Sequence, residues 1–179
     1  MSAMGMWILI ASLSVLFFAS LVAFLFIHFF RGAARTEPLP ELPSGMWIST
    51  ALLLLSSASL HWALLSARRD QQQGVRTAMV ATLLLGLGFL ANQALNWTQM
   101  HSAGVQMQGF YAVSFYFLTA LHAAHVIGGV VPIATVTAAA FRGYYTHASH
   151  IGLRLLGMYW HFLDIVWLVL FGVLALALR

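Results

Sequence analysis

Two pairs of ionisable side chains interrupt apolar runs in this sequence. His161 and Asp164 lie in YWHFLDIVWLVLF (159–171), and His122 and His125 lie in GFYAVSFYFLTALHAAHVIGG (109–129). Each pair is spaced i, i+3, so its members can touch on one helix face. Three chemistries suit them: a hydrogen-bonded brace between two helices, a proton relay, or a metal or haem site. HxxH with HxxD could clamp a metal between helices. A di-metal site in such a bundle would want more carboxylates than the one present. His122 and His161 could supply bis-histidine ligation to a single haem if they lie at matched depth on facing helices. The brace is the economical reading. It is a structural polar network in which His122 or His125 answers Asp164 and His161, with no catalytic residue and no metal.

These groups are positioned by an all-α scaffold. Of 179 residues, 61% are hydrophobic and 7% charged, against about a quarter charged in soluble domains. Runs of about 20 apolar residues read as spanning helices, and no alternating pattern suggests a barrel. Five spans can be drawn as a single transmembrane domain over 1–179, at about 5–30, 45–67, 77–97, 109–141 and 153–178. The fourth holds Pro132. TEPLPELPSG (36–45) is the linker-like stretch, extended by its prolines. The first run lacks a basic leader and is long, which reads as a span and not as a cleavable signal peptide. The absence of cysteine removes disulfides, thiolate metal sites and cysteine nucleophiles.

All eight basic residues are arginines at span ends, which is a topology signal and not a nucleic-acid patch. Placing the N-terminus in the cytoplasm puts Arg68, Arg69, Arg76, Arg142 and Arg154 on that side and Arg31, Arg35 and Arg179 outside. The positive-inside rule favours this orientation. Trp7, Trp47, Trp62, Trp97 and Tyr144 fall near span ends, as interface aromatics do. At about 1.5 Å per residue, His122, His161 and Asp164 come to similar depth near mid-membrane. Asp164 is the acidic residue inside a span, and a bare carboxylate in hydrocarbon costs several kcal/mol unless it is neutralised or paired. Gln93, Asn96 and Trp97 share a helix face, and with Trp160 and Trp167 they are candidate contacts for lipid or a partner. Ser56–Ser59 reads as close helix packing. His147 and His150, in a loop, could meet anionic headgroups when protonated.

The quoted runs resemble a known family, subunit III of haem–copper respiratory oxidases. Thr119, His122, His125, Val126 and Gly129 fall on its T-G-x-H-x-x-H-V-x-x-G helix, with Ala120 in place of the first glycine. YWHFLDIVW (159–167) is similar to its Y-W-H-F-V-D-x-V-W. Thr50 with Ser56 and Ser57, Gln93 with Trp97, and the GMWILIASLSVLFF run (5–18) resemble further family segments in the same order. Two family acids are missing: Leu13 and Asn96 stand where the family carries glutamates.

The resemblance implies a short five-helix, non-catalytic accessory subunit of a terminal oxidase. Such a subunit packs against catalytic subunit I, with subunit II in the same complex, and binds phospholipid. The haem and copper would lie in its partners, and the setting would be a bacterial inner membrane with the C-terminus periplasmic. No proton role of the family's glutamate carries over to Leu13. Three rivals remain: the equivalent partner of a nitric oxide reductase, a stand-alone b-type cytochrome using His122 and His161, and a small transporter. The last is disfavoured by the absence of a span broken at mid-membrane.

Overall fold

A computed structural model describes residues 3–31, 42–102, 110–145 and 150–177. They form five helices: α1 (Ala3–Arg31), α2 (Gly45–Arg68), α3 (Gln72–Ser102), α4 (Phe110–Phe141) and α5 (Ile151–Ala177). All five are long and apolar enough to cross a membrane. Only helices satisfy every backbone group within one segment in hydrocarbon. α3 runs five residues beyond the expected span at each end, because Gln72, Gln73 and Arg76 extend it into the polar region. α4 continues through Pro132; the missing N–H spares only the Gly128 carbonyl, and a glycine there eases the ring's approach. Arg35, Glu37, Glu41, His147 and Arg179 lie outside the described residues.

α2 and α3 form the tightest pair, joined by a short turn in which the amides of Arg69 and Gln71 both donate to the Ser66 carbonyl at 3.1 and 2.9 Å. Asp70 takes the left-handed conformation that closes it, at φ 55°. α4 packs on α3, and α5 lies against both α4 and α2. α1 is the outlier: it touches α5 and α4 and is largely exposed along its length. Its serines are silenced locally, since Ser12, Ser14 and Ser20 each donate to the carbonyl four residues back at 2.8–3.0 Å. Trp7, Trp47, Trp62 and Tyr144 are exposed at the helix ends.

The end of the α2–α3 pair nearest Gly45 is held by amides. Asn92 donates to the Gly45 carbonyl at 2.7 Å and to the Ser49 hydroxyl at 2.8 Å. Asn96 leaves no room beside Gly45: a Cβ there would come within 2.0 Å of Asn96 Oδ1. Gly45→Ala should therefore push the Asn96 amide aside and cost about 1–3 kcal/mol. A detergent-denaturation midpoint compared with wild type checks this, and an unchanged midpoint would refute it.

Candidate functional site: the intramembrane polar groups

The expected brace assembles around a different partner. His161 Nδ1 faces Asp164 Oδ2 at 3.8 Å, an ion-pair distance rather than a hydrogen bond. The same Nδ1 contacts the hydroxyl of Ser57 on α2. Asp164 is 6% exposed, sits beside Ser57 and His161, and has no hydrogen bond to either oxygen among the described residues. Serine and aspartate thus address one imidazole nitrogen. A hydrolytic triad needs them on opposite nitrogens, so this is no triad.

The α4 histidines stay apart from this cluster. His122 is fully buried among Phe17 of α1, Phe89 of α3 and Trp167 of α5, with ring centroids 6.2, 5.7 and 5.1 Å away. Neither of its nitrogens has a hydrogen-bond partner among the described residues. His125 turns back on its own helix, with Nδ1 against the Leu121 carbonyl at 2.7 Å, and packs edge-on to Phe17. The interhelical link from His122 or His125 to Asp164 is therefore not formed, because both rings rotate toward α1 and the aromatic core instead.

That packing also bears on haem. A bis-histidine haem would need open space beside His122, and Phe17, Phe89 and Trp167 fill it. His122 and His161 do not fit as a ligand pair. Among the described residues no group of three or more histidines and acids could hold a metal ion.

Four of the five candidate contact residues for lipid or a partner turn inward, which corrects their expected placement. Gln93, Asn96, Trp160 and Trp167 are each at most 1% exposed. Polar groups in apolar segments turn away from lipid, although Gln93 Nε2 and Asn96 Oδ1 gain no hydrogen bond among the described residues. Trp160 Nε1–H donates to Ser56 Oγ at 3.1 Å, and Trp167 Nε1–H donates to Thr50 Oγ1 at 3.0 Å, both across to α2. Asn96 Nδ2 reaches Gln93 Oε1 at 3.5 Å. Trp97 remains half-buried, donating to Thr119 Oγ1 at 3.0 Å, and lines an apolar groove of about 750 Å³ between α3 and α4 with His101 and Tyr116. Two further grooves flank α1: one of about 470 Å³ against α5, lined by Phe18 and Phe162, and one of about 430 Å³ against α4.

Sequence reasoning missed Ser57 and His61 as members of this site. His61, on α2, is exposed and its ring lies 6.5 Å from that of His161. The available signal was spacing: Ser57 and His61 are i, i+4 on one face at the depth of His161.

Known proteins are similar to this sequence over much of its length. The chain is 38% identical over 127 residues to a probable cytochrome c oxidase subunit 3 of Rickettsia felis, covering 70% of this chain and 45% of that one. It is 30% identical over 165 residues to a probable cytochrome c oxidase subunit 3 of Mycobacterium leprae, covering 91% and 82%. A cytochrome c oxidase subunit 3 of Corynebacterium diphtheriae is 33% identical over 125 residues, covering 69% and 61%. The chain thus spans less than half the length of the rickettsial relative and most of the mycobacterial one. The family described as cytochrome c oxidase subunit III matches residues 2–176. With five membrane-spanning helices and that match over nearly its whole length, the chain is an integral membrane protein that belongs to the cytochrome c oxidase subunit III family.

Proposed function

We propose that this chain serves as a non-catalytic subunit III, packing against the haem–copper catalytic subunit of a terminal oxidase, with subunit II in the same complex and phospholipid in its surface grooves. The observation that carries this reading is where its polar side chains go. Ser56, Thr50, Trp160, Trp167, Asn92 and Ser49 join helix to helix, and none of them lines the three grooves described above. A chain built this way transmits shape rather than chemistry. The haem and copper belong to its partners, which carry out the electron transfer to O2 and the coupled proton translocation. The grooves beside α1 and between α3 and α4 are lined by apolar side chains and match acyl chains in chemistry. Arg68, Arg69, Arg76, Arg142 and Arg154 flank one end of the bundle, which supports a bacterial inner-membrane setting with a cytoplasmic N-terminus and periplasmic C-terminus.

Affinity purification through this chain should recover a haem–copper subunit, and the spectrum of the complex should carry its Soret band. The chain freed of partners should be colourless. A Soret band that persists in the isolated chain and disappears in His122→Ala would overturn the reading in favour of a b-type cytochrome.

A further inference from the structure

We propose that Ser57 and His61 of α2, with His161 and Asp164 of α5, form an intramembrane docking seam that receives a hydrogen-bonding side chain, a hydroxyl or carboxyl, from a transmembrane helix of another subunit. The proposal rests on the reading of this chain as part of an oxidase complex.

Exposure at depth carries the argument. The His161 side chain is 43% exposed and His61 is exposed as well. His61 lies seven residues from Arg68 at the end of α2, and His161 ten from the start of α5. At about 1.5 Å per residue, these are roughly 10 and 15 Å into their helices, deep enough to face hydrocarbon in a bare bilayer. Elsewhere the exposed helix faces keep polar groups silent: Ser12, Ser14 and Ser20 of α1 donate to their own helix. At the seam nothing does this. Ser57 and Asp164 both address His161 Nδ1, leaving Nε2 with no described partner, and the His61 ring has no hydrogen bond among the described residues. Acyl chains offer neither donors nor acceptors, so lipid alone would leave two imidazoles unsatisfied.

The seam has a contact surface around it. α2 and α5 run antiparallel here, with Trp47 edge-on to Phe171 and Ser57 against His161. Trp47, Leu54 and His61 recur every seven residues, so they share a stripe along α2. Trp47, Leu54 and Leu65 on α2 and Leu168 on α5 are exposed. They form an apolar rim around a polar centre, and in hydrocarbon such polar groups are what bond one helix to another. A second copy of this chain would suit it poorly. The only carboxyl in the seam, Asp164, is buried under its own His161, so a symmetric partner would offer neutral imidazole pairing, weaker than the charge-assisted bond a partner carboxyl would make. A different helix with an exposed hydroxyl or carboxyl supplies what is missing.

The test places a benzophenone amino acid at Leu54 or Leu168, on the rim, and at Phe18 and Val113, on other faces, within the complete complex in its native membrane. Irradiation should join the rim positions to another membrane subunit. Adducts from Leu54 and Leu168 only to lipid or to a second copy, with Phe18 or Val113 joined to the catalytic subunit, would overturn the seam and leave the accessory role standing. No subunit adduct from any position, with no haem–copper subunit co-purifying, would overturn the accessory role itself. In parallel, His61→Leu with His161→Leu should lower the amount of this chain bound per complex about tenfold, and His61→Gln with His161→Gln should restore most of it. His61→Leu alone should leave the melting of the isolated chain nearly unchanged, because the exposed His61 ring makes no hydrogen bond among the described residues. Full occupancy in the double leucine variant would also overturn the seam.

Discussion

Trp160→Ala should be the most damaging single substitution in the bundle, costing about 3–5 kcal/mol. Trp160 is fully buried where four helices meet. Its six-membered ring occupies the spaces left by Gly86 of α3 and Gly129 of α4. A Cβ at Gly129 would come within 2.8 Å of it and one at Gly86 within 3.2 Å. Its N–H donates to Ser56 of α2, and the Ser56 hydroxyl in turn donates to the Thr82 carbonyl of α3 at 3.3 Å. Lipid tails are as apolar as the core, so the loss is one of packing contacts and of the cavity left behind. Trp160→Phe should keep most of the packing, lose one hydrogen bond and cost about 1 kcal/mol. Detergent-denaturation midpoints of the two variants, beside chain abundance in the membrane, check the pair. Equal midpoints for Trp160→Ala and wild type would show that the four-helix junction contributes nothing.

Asp164→Leu should reduce the amount of this chain held in the complex while leaving early turnover of the surviving complex near normal. The carboxyl is the acidic partner of His161, and the imidazole retains only Ser57 when it is gone. Losing that polar contact beside the imidazole costs on the order of 1 kcal/mol, enough to disturb the α2–α5 face. Asp164→Asn keeps a hydrogen-bonding group and should be milder. Subunit stoichiometry, initial turnover and proton pumping are measured together for both variants. Full occupancy with abolished pumping in Asp164→Asn would mean that the carboxyl moves protons, and the structural role would be wrong.

The five spans and the family were legible in the residues themselves. Uninterrupted apolar runs must become helices because hydrocarbon offers the backbone no other partner. Motifs such as YWHFLDIVW are long enough to be specific. Position along each helix was legible as well, since rise per residue is constant along a helix. Rotation was not. A helix that is apolar nearly all round has no hydrophobic face to aim at a core, so nothing local says which way Trp160, Trp167, His122 or His161 points. The choice is made by fit between helices. Gly86 and Gly129 open room for Trp160, which draws that face of α5 inward. Phe17, Phe89 and Trp167 close around His122 and hold it away from Asp164. With α5 so turned, His161 emerges on the α2 side, where Ser57 meets it and His61 lies alongside. The polar groups and their places along each helix belong to the sequence, while the identity of each partner belongs to the packing of the bundle.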